Sequence, residues 1–422
     1  MDFNFKGFFR FMHLWLSNGR WTARRVAIFI AFCLGFPLLE LTIWLGFLFD
    51  NIFFRGYRRE GVDSPVFIIG NPRSGTTFLH RLMSKDVERF TTMGMWEILF
   101  APSITLRKVV HGFSTLLVRL GISPHKQLNR IEGNWHEQAH AMHNISFSEP
   151  EEDDYLLLHI WSALTTGLSS GLLKEAIPYV YFDTAIPRKE RNRIMAFYKR
   201  CVQRHLYAHR RFKGTEPRGY LAKNPALCPK VDTLLEVLPG AKIIYLVRNP
   251  LEMIPSYVSM MDFSWRAVGV LNRDQMLKDF IFEMAQHWYC YPIKRLEKCS
   301  EDTYIIIKYD DLVKDPEHTV KKIYSRLGFE VSPSFGRVLR DSAVNAGHYK
   351  SRHKYLLEDM GLDRRRIFAE FRDIFDRFQF DRPLESNPRS VMAKSCAPKR
   401  LSVTKKSSEG SDPDRIKECL VS

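Results

Sequence analysis

The residue types best suited to chemistry are concentrated in one turn, Asn71-Pro72-Arg73-Ser74-Gly75, between a β-branched run ending at Gly70 and an amphipathic stretch opening at Thr76. The spacing Gly70-x-x-x-x-Gly75-Thr76-Thr77 copies the phosphate-binding loop of nucleotide hydrolases, except that Thr76 stands where the phosphate-gripping Lys belongs. Backbone N–H groups and a helix N-terminus still hold an anion in such a loop, because they depend on glycine geometry and not on the Lys. Without the Lys, and with Arg73 inside the turn, the loop suits a nucleotide that lacks a triphosphate tail. A P-loop kinase or NTPase would also need a Mg-binding Asp at a strand end, and none is evident.

A second anion grip follows the apolar run Lys242 to Val247. Arg248 leaves that strand, Asn249 is placed to cap a helix begun by Pro250, and Ser256 lies two turns further on. Two grips on two strand-to-helix junctions of a parallel sheet suit a ligand with phosphate at both ends.

At these two motifs the chain resembles the sulfotransferases that use 3′-phosphoadenosine 5′-phosphosulfate (PAPS), in their bacterial-type branch. PRSGTT (72–77) is similar to their 5′-phosphosulfate loop, and RNPLEMIPS (248–256) to their 3′-phosphate motif. FSEPEEDDYLLL (147–158), YLAKNPAL (220–227), IKYDDLVKDPEHTVKKIYSRLGF (307–329) and HKYLLEDMGL (353–362) resemble further blocks of that branch in the same order. The resemblance implies a three-layer α/β/α P-loop-like nucleotide-binding fold with a mostly parallel central sheet, and PAPS as cosubstrate with no metal. Pro72, Arg73, Ser74, Gly75, Thr76 and Thr77 would then hold the 5′ end and Arg248 and Ser256 the 3′-phosphate. Lys223 matches a Lys placed near the bridging oxygen, and Lys350 with Ser351 falls in a loop that closes over the 3′-phosphate.

Glu97 is the favoured proton acceptor. It is expected at the end of a second strand, where flanking Trp96 and Ile98 would desolvate it and raise its pKa. His143 is the reserve. Ser148-x-x-Glu151 before Tyr155 reads as a capping box, which makes the acidic run Glu149 to Asp154 structural.

The rest of the chain sets the surroundings. Its 422 residues carry a formal charge of +16, which favours anionic partners. No nucleic-acid motif or interleaved stacking aromatics accompanies that charge, so nucleic acid is not expected. The seven cysteines, 33, 201, 228, 290, 299, 396 and 419, form no CxxC pair. Val26 to Phe49 is apolar except for Pro37 and Glu40 and is long enough to cross about 30 Å of hydrocarbon. Residues 26–54 therefore read as a membrane anchor, with a re-entrant hairpin or a buried helix pair as the alternatives. Residues 1–25 read as an interfacial amphipathic segment, 64–385 as the catalytic domain and 386–422 as a disordered basic tail. The terminal Cys419-Leu420-Val421-Ser422 fits a prenylation box, and Asn144-Ile145-Ser146 a glycosylation sequon; they imply opposite sides of a membrane, and topology stays open.

Sulfuryl transfer to a hydroxyl or amine is expected, and an anchor so close to the first core strand favours a lipid, sterol or other amphiphilic acceptor, with a glycan also open. Two readings compete with the sulfotransferase. His136-Glu137-Gln138-Ala139-His140 fits the H-E-x-x-H of zinc hydrolases, and a non-catalytic nucleotide-binding protein would carry the same loop.

Overall fold

The computed structural model describes residues 3–17, 22–121, 149–213, 219–267, 274–346, 357 and 360–381. Five strands, β1 (Val66–Gly70), β2 (Phe90–Thr91), β3 (Gly219–Lys223), β4 (Lys242–Val247) and β5 (Tyr304–Lys308), form one sheet in the order β2-β3-β1-β4-β5. Every pairing is parallel. Strands covered on both faces need continuous apolar runs, and Val66-Phe67-Ile68-Ile69 supplies one, buried throughout.

Side chains alternate across the sheet. Val66, Ile68, Ile244 and Leu246 pack with the helices Thr76–Met83 and Pro316–Leu327 through Leu79, Leu82, Val320 and Ile323. Phe67, Ile69, Tyr245 and Val247 face the helices Arg188–Lys213 and Asp274–Leu296 through Ile194, Tyr198, Ile281 and Trp288. The result is the expected α/β/α layering on a wholly parallel sheet. Each buried large apolar side chain contributes about 1.5–3 kcal/mol relative to exposure.

The order places the site. From β1 the chain crosses to β2 and β3 on one side, then to β4 and β5 on the other, so the C-terminal end of β1 is a topological switch point. Ligands of open α/β sheets bind in the crevice at such a point.

Upstream of the sheet lie α1 (Phe5–Ser17) and α2 (Ala23–Phe53), and after β1 come α3 (Thr76–Met83), α4 (Met95–Leu99) and α5 (Ile104–Arg119). α2 runs unbroken through Pro37, so the re-entrant hairpin is not formed. The stretch Arg25–Phe53 is long and apolar enough to cross a membrane by length and composition. Its last turns join the body: Ile43 and Phe47 are buried in the core. Asp50, fully buried, accepts hydrogen bonds from Arg204 Nε (3.0 Å) and from the Ile104 and Thr105 backbone N–H groups (2.9 and 2.8 Å). Glu40, which in lipid would cost about 3 kcal/mol, instead meets His159 Nδ1 at 2.8 Å, while His159 Nε2 donates to the Ile98 carbonyl at 2.9 Å. α1 is a helix as expected, but Phe8 and Phe11 turn inward onto Trp161, with ring centroids 4.9 and 5.0 Å apart.

Two local expectations are corrected. β2 is only Phe90–Thr91, and Glu97 sits six residues beyond it in α4, where its Oε2 accepts the Gly94 N–H at 2.9 Å. The acidic run leads into a 3-10 helix, Asp153–Ile160, whose cap residue is Glu152 and which makes no side-chain cap bond. Glu151 precedes that cap, and its side chain lies 3.6 Å from Arg81 of α3.

Candidate active site

Registered pairs set Ile68 beside Lys223 and Gly70 beside Leu246, so the loops after β1, β3 and β4 open side by side. The turn after β1 relies on glycine at two positions. A Cβ on Gly70 would stand 2.5 Å from the Leu246 carbonyl oxygen, and one on Gly75, at φ +84°, 2.5 Å from the Tyr309 ring. Arg73 adopts φ +67°, a left-handed conformation costing about 1–3 kcal/mol for a non-glycine residue and typical of ligand-gripping turns.

The two motifs are joined directly. Arg73 Nε donates to Ser256 Oγ at 3.0 Å, and Arg248 Nη1 donates to the Arg73 carbonyl at 2.8 Å. Arg248 is held further by Glu252 (2.9 Å) and lies over the Tyr309 ring, 4.3 Å from its centroid. Asn249 Oδ1 caps the helix Pro250–Ala267 by accepting the Leu251 N–H at 3.0 Å, as expected. The turn also holds orphaned buried polar atoms, both amide atoms of Asn71 and the Ser74 hydroxyl. Buried polar groups are rarely left unpaired. With the N-terminus of α3 at Thr76 and Thr77, this loop has the donor set for a phosphate-bearing ligand.

Lys223 ends β3 fully buried, its Nζ 2.8 Å from Glu152 Oε1. On α3, residues four apart share a face, and Thr76/His80 and Thr77/Arg81 are such pairs. Arg81 reaches Glu149 at 2.5 Å and Glu151 at 3.6 Å. Burial, with Lys223 second, pushes the His80 imidazole down to about 3, so it is neutral. Burial also pushes the Glu151 carboxyl up against the pull of Lys223, with Glu152 adding to the rise. Four groups thus stand next to the phosphate loop that the sequence reading had not assigned to the site: His80, Arg81, Glu151 and Glu152. The signal for two of them lay in the i, i+4 spacing along α3. The acidic pair was hidden by its resemblance to a helix cap.

Glu97 is placed elsewhere, and the expected rise in its pKa is reversed. Burial raises its carboxyl, but Arg107 (2.9 Å), His209, His205 and the Gly94 N–H outweigh it and hold it well below the usual carboxylate range. Arg107 also donates to His205 Nδ1 at 2.7 Å, which leaves His205 Nε2–H to donate to Thr91 Oγ1 at 2.9 Å. Thr91 is in register with Tyr220, three residues and about 10 Å before Lys223 along β3. By strand alternation Lys223 leaves the opposite face from Tyr220. Glu97, His205 and His209 do bring potential metal-ligating atoms within 4.8 Å of one another. A guanidinium bonded to two of the three makes this an ion-paired cluster. His143, Lys350, Ser351, Ser148 and the H-E-x-x-H segment 136–140 lie outside the described residues.

An all-parallel α/β sheet with a glycine-built turn and a facing Arg at its switch point is an architecture of nucleotide-binding proteins. The sulfotransferase family profile matches residues 65–333, well over half of the chain, and the protein belongs to that family. It is similar to omega-hydroxy-beta-dihydromenaquinone-9 sulfotransferase Stf3 of Mycobacterium bovis and of Mycobacterium tuberculosis, 26% identical over 336 residues that cover 76% of each chain. The fold is shared with sulfotransferase STF9 from Mycobacterium avium (TM-score 0.60, 17% identity, covering 81% of this chain and 83% of that one). It is shared equally with STF1 from Mycobacterium tuberculosis (TM-score 0.58, 18% identity, 78% and 81% covered). The chain is a sulfotransferase of the EC 2.8.2 type, and membership implies PAPS as donor.

Proposed function

We propose that this sulfotransferase moves the sulfuryl group of PAPS to a hydroxyl of a lipid-like acceptor at a membrane. The observation that carries the donor reading is the contact of Arg73 with Ser256 and with Arg248, which makes one surface of two motifs distant in sequence. Pro72 to Thr77 would hold the 5′-phosphosulfate end, and Arg248 with Ser256 the 3′-phosphate; Lys350 and Ser351 are assigned to the same phosphate from the resemblance. Lys223, beside the loop, would neutralise charge on the departing 5′-phosphate as its bond to sulfur breaks. The acceptor oxygen forms the new bond to sulfur and gives its proton to a carboxylate. Glu151, which has no ion pair closer than 3.6 Å, is the better placed base, whereas Glu97 is tied to Arg107 and Glu152 to Lys223. His143 is retained as the reserve. No step in this scheme calls for a metal.

Support for the acceptor class comes from the apolar helix α2 and from the name of the relative Stf3, an enzyme of a hydroxylated menaquinone. The test is incubation of the full chain in vesicles with radiolabelled PAPS and fractionated lipids, glycans and proteins. Labelled lipid is the expected product. Labelling of soluble sugars or proteins alone would sink the acceptor class, and failure to bind adenosine 3′,5′-bisphosphate in calorimetry would sink the donor site.

A further inference from the structure

α5 carries an apolar stripe that nothing among the described residues covers. Val109, Phe113, Leu116 and Leu120, spaced i, i+4, i+7 and i+11, fall on one helical face and are 52–65% exposed. A Cβ added at Gly112 on the same helix meets nothing within 4 Å. α2 bears a matching stripe, Leu34, Leu38, Leu41, Leu45, Leu48 and Ile52. The two helices are fixed to each other: Asp50 of α2 caps the first turn of α5, and a Cβ on Gly46 would stand 2.4 Å from Ser103 Oγ.

We infer that α5 is a second membrane-contacting helix, lying in one leaflet of the bilayer beside α2. The inference rests on the membrane reading of α2 given above. Length decides between dipping and crossing. Between Lys108 and Arg119 the helix has no Asp, Glu, Lys or Arg, and those ten residues span about 15 Å, half of the hydrocarbon thickness. Charge decides the occupant. Lys108, whose Nζ lies over the Phe54 ring at 4.6 Å, and Arg55, Arg58 and Arg59 just after α2 gather positive charge where the two helices meet. Segment 104–120 contains no acidic residue to answer it. A second copy docked on this face would bring like charges together, whereas anionic headgroups beside an apolar leaflet match both features.

The test uses the full chain in phosphatidylcholine/phosphatidylglycerol vesicles doped with a phospholipid carrying a diazirine in its acyl chain, with adducts mapped by mass spectrometry. Adducts are expected on 109–120 at a yield within about threefold of those on 34–53, falling about tenfold on 109–120 alone in F113K/L116K. Adducts on α2 without adducts on α5 would overturn the inference and leave the anchor standing, the stripe then being covered by residues 122–148 or a second copy. Adducts on neither helix would overturn both. Unchanged α5 adducts in the double variant would also overturn it, since the label would not be reporting insertion of this face.

Discussion

Two acidic clusters flank β3, and they are finished to different degrees. Around Glu97 the charges pair with one another: one carboxylate, one guanidinium and the His205–Thr91 pair are bonded together under the helix Arg188–Lys213, with Arg107 Nη2 left without a partner. Around Lys223 they close only in part: Glu152 pairs with Lys223 at 2.8 Å, while Glu151 is buried with its nearest cation 3.6 Å away. A cluster whose groups already neutralise one another holds the fold. One with carboxylate capacity to spare beside a phosphate loop is equipped to take a proton.

The largest effect should fall on the open cluster. Glu151→Gln should lower kcat with PAPS by about 10³, within the usual range for removing a general base, while the melting temperature moves little. Glu152→Gln should also lower the melting temperature, because it strands the buried Lys223 charge. Steady-state kinetics with a thermal melt on the same sample separates this from misfolding. Full activity in both variants would return the base to Glu97 or His143. Next in size, Glu97→Gln should lose about 3 kcal/mol of stability, because it strands the Arg107 charge in a buried site, while kcat of the folded fraction stays within about threefold of wild type. Denaturant unfolding is the readout, and a large loss of kcat with unchanged stability would reverse the ranking of the two clusters. Arg248→Ala should cost about 2–3 kcal/mol of donor binding, the worth of a charge-assisted contact. It should appear as weaker calorimetric uptake of adenosine 3′,5′-bisphosphate, with acceptor KM unchanged.

Legibility in the sequence followed the range of the interactions. The phosphate turn could be read because glycine spacing and strand punctuation are local, and the second motif because Asn249 and Pro250 mark a helix start within a few residues. The surroundings of Glu97 could not, since Arg107 and His205 arrive from other helices and only packing brings them in. With the guanidinium out of view, its apolar neighbours Trp96 and Ile98 suggested a raised pKa, the wrong sign. Ser148-x-x-Glu151 lies partly outside the described residues, and the helix after it opens only at Asp153 with Glu152 as its cap, later than the local pattern placed it. The stripe on α5 escaped notice because an amphipathic helix facing lipid carries the same periodicity as one facing a core.

The smallest expected effect is in the pH dependence of stability, and it divides two buried carboxylates by the kind of partner each has. Glu97 is held by a cation, so its folded pKa lies below its unfolded value of 4.5. Its contribution is complete above that value and is lost as pH falls below it. Asp153 is held by neutral donors, the hydroxyls of Tyr198 and Tyr220 and the amide of Asn224. Burial outweighs them and raises the carboxyl from 3.8 to about 6. The folded state then binds more protons than the unfolded one between those values, so stability falls as pH rises from about 3.8 to about 6. Denaturation midpoints measured every half unit from pH 3 to pH 7 should therefore show opposite slopes removed by the two variants. Asp153→Asn should flatten the fall between pH 4 and 6, and Glu97→Gln the loss below pH 4.5. If Asp153→Asn instead steepened the curve, the hydroxyl and amide donors would be stabilising the ionised form more than burial opposes it, and Asp153 would belong with Glu97 among the charged supports of the fold.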